Sequence, residues 1–311
     1  MSGDKETELL GPRPRVVLDT GAPLPPGTVA GSWRIDSLIA VGGCGTVYAA
    51  HHGVLDRPAA VKVLHAELAA NPSMVERFVQ EARAVNQIRH PNIVDIFDFG
   101  TLADGRPFFA MELLARDNLE DRLDSGGRMT LPEVLAIIDP ICLALSAAHR
   151  AGYVHRDLKA RNIGFAADAS GAEHPRLLDF GIAKLLEEPD GPGSTGTLRV
   201  GTPHCMSPEQ IRGERVDART DVYALGVLLY HLVTGTYPFD SDDSVEVERL
   251  HLEAPPPLPS RLAPLPTEVD ALVTHAMAKE PAVRPASAAD VATALRAAIA
   301  VIDARAGAAG G

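Results

Sequence analysis

The chain has 311 residues, 46% of them hydrophobic and 23% charged, with a formal net charge of −12 at pH 7. That length allows a substantial buried core and suggests two globular units, at roughly 100–200 residues each. The acidic balance argues against a general nucleic-acid binder or a protein of anionic membrane surfaces, because both need clustered Lys and Arg. Cys44, Cys142 and Cys205 form neither a metal-ligand spacing nor an even-numbered disulfide framework, so a reducing cytoplasm is the expected location. The first residues lack the apolar core of a signal peptide. No run approaches the roughly 20 apolar residues of a membrane span, and none is expected.

Residues Met1 to Gly27 are rich in Pro and Gly and carry no apolar period, which reads as a flexible leader over 1–30 with order beginning near Trp33. From Arg34 to Leu64, short apolar runs bounded by Gly, Asp or Pro predict a small antiparallel sheet. Ser73 is placed to cap a helix in which Val75, Phe78, Val79, Ala82, Val85 and Ile88 recur at helical spacing, with Glu81 pointing along the apolar stripe. Strands are predicted at Ile93 to Phe99 and Phe108 to Leu114. Thr130 and Glu133 have capping-box spacing ahead of a long helix reaching His149, which Pro140 should kink unless Asp139 ends one segment. From Val222 to Leu232 the sequence is apolar nearly all round, the mark of a buried helix. A proline-rich connector from Pro255 to Pro266, helices at Leu272 to Met277 and Val291 to Ile302, and a disordered tail over 304–311 complete the chain.

Several segments carry chemistry. Between Ile39 and Val47, AVGGCGT frees the backbone at Gly42, Gly43 and Gly45 to fold closely over phosphates and to offer amide donors. Lys62 ends the apolar run Ala59, Ala60, Val61, where an unpaired ammonium is costly. Glu81 is its obvious partner; the alternative is that Glu81 bonds Arg77 or Arg83 on a solvated face. HRDLKARN, from His155 to Asn162, sets an aspartate beside a lysine for a hydroxyl and a phosphoryl group. Asn162, with Asp179 of the triplet Asp179, Phe180, Gly181, offers hard oxygens to a divalent metal. The flexible middle of the segment from Asp179 to Glu209 contains Ser194, Thr195, Thr197 and Thr202.

These strings resemble the eukaryotic-type (Hanks-type) Ser/Thr protein kinases, and GTPHCMSPEQ and LLDFGIAK are similar to the bacterial branch. The resemblance implies an α+β two-lobe fold over residues 31–303. It would comprise a small antiparallel-sheet lobe with one main helix (31–111), a hinge (112–115) and a larger, mainly helical lobe (116–303). It implies ATP- and Mg2+-dependent phosphorylation of protein Ser/Thr hydroxyls, with Mn2+ as the alternative metal and self-association for activation-loop autophosphorylation. Asp157, Lys159, Lys62 and Glu81 would be catalytic; Asn162 and Asp179 would hold metal. ATP would meet Ile39, Ala40, Val41, Gly42, Gly43, Cys44, Gly45, Thr46, Val47, Ala60, Lys62, Met111, Glu112 and Leu114. A phosphate on Ser194, Thr195 or Thr197 would pair with Arg156, Thr202 would shape the docking site, and Phe180 would pack the loop. Glu209 with Arg284, and Asp221 beneath the HRDLKARN backbone, are expected in structural roles.

The chain departs from the family pattern at Ala40 in the glycine loop, at Ala160 and Arg161, at Cys205 in place of a tyrosine, and at Gly164. Gly164 stands where a large apolar residue normally lies under the adenine ring, so a gap in the pocket floor is expected, with Phe165 as the compensating neighbour. Ala40 and Gly164 motivate an alternative reading, a nucleotide-binding scaffold with weak turnover. A small-molecule phosphotransferase on the same fold is opposed by GTPHCMSPE, a peptide-docking segment by resemblance.

Overall fold

Six strands, β1 (Val29–Ala30), β2 (Trp33–Val41), β3 (Gly45–His52), β4 (Pro58–Leu64), β5 (Ile96–Thr101) and β6 (Pro107–Met111), form one antiparallel sheet in the spatial order β1-β2-β3-β4-β6-β5. The structure is a computed structural model that describes residues 22–115, 117–180 and 203–309. Gly181, Ser194, Thr195, Thr197 and Thr202 lie outside the described residues, as do the first residues of the expected leader. Order begins before Trp33: Val29 and Ala30 pair with Arg34 and Trp33 in a tight hairpin, which gives the sheet an extra edge strand. One face of the sheet buries Trp33, Tyr48, Val61 and Phe108 in a cluster of its own; the other, through Ala60, Phe109 and Met111, joins the main core.

Between β4 and β5 come α1 (Ala66–Ala69) and α2 (Pro72–Ile88). Asn71 caps α2 in place of Ser73, and its side chain accepts the Ser73 N–H at 3.0 Å. Pro72 explains the shift, since its fixed φ and missing N–H suit the first helical position and put the cap immediately before it. Phe78, Glu81, Ala82 and Val85 line the buried face of α2. The strand expected from Ile93 starts only at Ile96; Ile93 instead bridges to Leu177.

The second half is mainly helical: α3 (Leu119–Gly126), α4 (Leu131–Arg150), α5 (Pro208–Arg212), α6 (Ala218–Thr234), α7 (Ser244–Glu253), α8 (Thr267–Ala276) and α9 (Ala288–Ala309). A two-stranded ribbon, β7 (Ile163–Ala167) with β8 (Glu173–Leu177), is inserted between α4 and α5. Every residue of α6 from Thr220 to Val233 is buried, as its all-round apolar sequence requires. Pro140 does not end α4, which runs unbroken past it. The lost hydrogen bond is offset by burial of Val134, Ile137, Ile138, Ile141 and Cys142 in the core shared with α6 and α9. By length and composition α4 is also apolar enough to cross a membrane, which corrects the expectation that no stretch approaches that limit. Its apolar face is spent here on the helical core. α9 continues to Ala309, so the tail expected from 304 is helical that far.

Candidate active site

The glycine loop joins β2 to β3. Gly42 N–H donates to the Gly45 carbonyl at 2.9 Å, and a Cβ at Gly45 would collide with the Val63 carbonyl oxygen, so only glycine lets β3 approach β4 there. Ala40 lies in β2 opposite Val47, at a strand position that needs no glycine freedom. Ile39, Ala40, Val41, Gly42 and Gly43 are exposed along the loop; Cys44 and Val47 are half-buried, and Gly45 and Thr46 are buried. His65, which sequence reasoning passed over, clamps the loop from the junction of β4 and α1: its Nε2–H donates to the Gly42 carbonyl at 2.8 Å and its backbone N–H to the Cys44 carbonyl at 3.0 Å.

Lys62 is buried in β4, and its Nζ donates to Glu81 Oε1 at 3.0 Å and to Asp179 Oδ1 at 2.8 Å. Burial alone would lower the pKa of the ammonium. The Asp179 and Glu81 carboxylates outweigh that and raise its pKa above the ordinary range. Burial pushes the Glu81 carboxyl up against the pull of Lys62, with the second carboxylate of Asp179 adding to the rise. Two carboxylates therefore share one ammonium: that of Glu81 is buried, and that of Asp179 lies on a side chain 45% exposed.

The HRDLKARN loop is held from below. Asp221, fully buried at the start of α6, accepts the His155 N–H (Oδ2, 2.8 Å) and the Arg156 N–H (Oδ1, 2.8 Å), while His149 Nε2 contacts Oδ2 at 2.7 Å. These bonds stabilise Arg156 at φ 66, a left-handed backbone that costs a side-chain-bearing residue on the order of 1–3 kcal/mol. Gln210 Nε2–H donates to the Arg156 carbonyl at 2.8 Å, tying the loop to α5. His155 links two loops: Nε2–H donates to the Leu178 carbonyl at 2.8 Å, which leaves Nδ1 to accept the Asp157 N–H at 3.3 Å. Phe180 is wholly buried, with its ring centroid 4.9 Å from that of His155.

Asp157 presents its carboxylate to Lys159 Nζ at 3.0 and 3.2 Å. Asn162 Nδ2–H donates to the Asp157 carbonyl at 2.7 Å and to Oδ2 at 3.1 Å, which commits the amide nitrogen and leaves the amide oxygen's lone pairs for a metal ligand. That oxygen and the exposed Asp179 carboxylate fit a hard divalent cation that keeps several waters.

Met111 ends β6 opposite Ala60 of β4. From there the chain crosses to the second half at Glu112, whose carboxylate takes Arg176 Nε–H at 3.1 Å, and Ala115, whose N–H donates to the Phe165 carbonyl at 2.9 Å. The gap expected at Gly164 is closed. A Cβ there would lie 2.6 Å from Leu114 Cδ1 and 3.5 Å from Leu178 Cδ1, so those side chains already occupy the space. Phe165 does not compensate: strand alternation turns it to the opposite face, where the Arg122 guanidinium lies 3.6 Å from its ring centroid. Beyond the cleft, Arg284 grips Glu209 with two bonds of 2.7 and 2.8 Å, both side chains being buried. Next to Cys205, His204 stacks on Tyr237 at 4.6 Å between centroids, and Tyr237 meets His231 at 4.1 Å.

A family profile described as protein kinase domain matches residues 33–294. The serine/threonine-protein kinase pkn3 of Myxococcus xanthus is 41% identical over 266 residues, which are 84% of this chain and 49% of the relative. The probable serine/threonine-protein kinase PknB of Corynebacterium glutamicum is 38% identical over 85% of this chain and 42% of its own length. The chain therefore spans about half or less of the curated relatives it matches. Among solved structures, the Mycobacterium tuberculosis PknI kinase domain superposes with a TM-score of 0.70 at 26% identity, covering 88% of this chain and 99% of that one.

Proposed function

This chain belongs to the protein kinase family, and on that premise we propose that it transfers the γ-phosphoryl group of ATP to serine and threonine hydroxyls of protein substrates. The observation that carries the reading is the convergence on Lys62, where a strand lysine, a helix carboxylate and the carboxylate of a distant loop meet within hydrogen-bond distance. A lysine so fixed presents its charge to the α and β phosphates at little reorganisation cost.

Asp157 accepts or orients the substrate hydroxyl proton, and Lys159, bonded to it, neutralises charge on the migrating phosphoryl group. Asn162 and Asp179 would hold Mg2+, with Mn2+ as an alternative; once bound, the metal neutralises phosphate charge and orients the β and γ groups. His155 and Asp221 keep the Asp157 backbone in place, and the lysine two residues after Asp157 favours serine and threonine over tyrosine. Loop autophosphorylation at Ser194, Thr195 or Thr197, with Arg156 as the phosphate partner, rests on a second copy of the chain as the substrate. A cytoplasmic setting accords with the cysteine usage.

The test is incubation of purified chain with Mg2+ and labelled ATP, alone and with a basic acceptor protein, beside Asp157→Asn. Wild-type labelling well above that variant is expected, with phosphate located by mass spectrometry between Ser194 and Thr202. Equal labelling of the two proteins would overturn the reading.

A further inference from the structure

Resting on the nucleotide-binding part of that reading, we propose that Leu114 reaches from the hinge to form the floor of the adenine pocket. It takes the space that a side chain at Gly164 would fill, so these two positions together set nucleotide affinity.

Gly164 is buried in β7 with no side chain of its own. A Cβ built on it would lie 2.6 Å from Leu114 Cδ1 and 3.7 Å from Leu114 Cβ, so Leu114 lies directly over it. Both sides of Leu114 are fastened to the ribbon that carries Gly164. Ahead of it, Glu112 takes the hydrogen bond from Arg176, the residue paired with Gly164 across β7 and β8. Behind it, Ala115 N–H bonds the carbonyl of Phe165, the next residue along β7. Leu178, whose N–H donates to the Asn162 carbonyl, fills the remaining side of the space. Val47, Ala60 and Met111, the other apolar residues that the nucleotide reading assigns to the cleft, pack in the same hydrophobic cluster, and Phe165 is turned away under Arg122.

Two physical consequences follow. A floor borne on the hinge is held by the Arg176 and Ala115 bonds and not by a strand of its own. Because only glycine leaves room for Leu114, adding even one methyl group at position 164 must displace Leu114, although that displacement relieves itself once Leu114 is shortened.

The experiment is ADP affinity by calorimetry for the native chain and for Leu114→Ala, Gly164→Ala, the double variant and Phe165→Leu, each checked for an unchanged melting temperature. Leu114→Ala keeps the hinge backbone and removes only the floor, so binding should weaken roughly tenfold, the loss of one buried aliphatic contact. Gly164→Ala should weaken it about threefold or more in the native background, yet be neutral or favourable in the Leu114→Ala background, a reversal of sign. Phe165→Leu should change affinity less than about twofold if the fold is kept. Tighter binding by Gly164→Ala alone would mean the floor is open, and effects of Leu114 and Gly164 that simply add would mean the two do not share the space. Either result overturns the inference and leaves the kinase reading standing. If the native chain binds no ADP, both fall.

Discussion

Arg284→Met should be the most damaging single change outside the cleft. The Arg284 side chain is fully buried and makes two bonds to Glu209, at 2.7 and 2.8 Å, and three to the carbonyls of Ala278 (2.7 Å), Arg219 (2.9 Å) and Lys279 (3.0 Å). Methionine fills similar volume and makes none of them. Glu209 keeps only the Thr220 hydroxyl, at 2.8 Å, as a side-chain donor. Removing one partner of a buried pair costs about 3–5 kcal/mol, because the other charge stays buried without a counter-charge. For a domain of this size that corresponds to a fall in melting temperature of roughly 6–20 °C, read by fluorescence-monitored thermal unfolding. Removing both charges, in Glu209→Leu with Arg284→Met, should recover part of the loss, since the three carbonyls and the Thr220 hydroxyl each lose one hydrogen-bond partner but no buried charge is left. The pH dependence has a definite sign. Burial pushes the Glu209 carboxyl up, but Arg284 outweighs it and holds it below the usual range, so its contribution is present above about pH 4.5 and is lost as pH falls through the lower folded value. The acid limb of unfolding should therefore be shallower in Arg284→Met. A melting temperature within about 2 °C of the native protein, or single-variant losses that simply add in the double variant, would refute this account.

Glu81→Gln replaces a charged hydrogen bond worth about 1.5–3 kcal/mol at Lys62 by a neutral one, so kcat/KM for ATP should fall roughly 10–100-fold, while Asp179 still pairs the ammonium and keeps the fall in melting temperature smaller than that of Arg284→Met; a change in kcat/KM under twofold would remove Glu81 from the site. Burial and the Lys279 charge hold His251 at about pKa 3, well below 6.5. The unfolded chain takes up a proton below pH 6.5 that the native state refuses, so stability should fall by up to ~1.4 kcal/mol per unit as pH drops from about 6.5 toward 3. His251→Gln should flatten that slope, and coincident slopes in the two proteins would contradict the assignment. Burial pushes the Cys142 thiol up to about 12, so a thiol-counting reagent at neutral pH should modify it only after unfolding; rapid native-state reaction at Cys142 would show that the α4 core opens.

The sequence by itself determined the order of the chemistry. Lys62 inside an apolar strand demands a buried carboxylate, and Glu81 on the inward stripe of its helix supplies one, because burial costs make both residues legible one at a time. The all-round apolar run of α6 likewise announced its burial. Elements that lean on tertiary partners were hidden: the short β1, the β7 and β8 ribbon, and helices α3, α5 and α7 carry weak local patterns. Pro140 leaves both a kink and a helix end at Asp139 open in the sequence, and α4 runs on past it because it packs against α6 and α9, contacts that local sterics do not reveal. His65, His149 and Gln210 were passed over since each acts through a backbone atom or carboxylate remote in the chain. Gly164 shows the limit most plainly. The sequence shows that a side chain is missing, but only the fold decides that Leu114, 50 residues earlier, fills its place, because occupancy of a volume belongs to whatever chain segment tertiary contacts bring there.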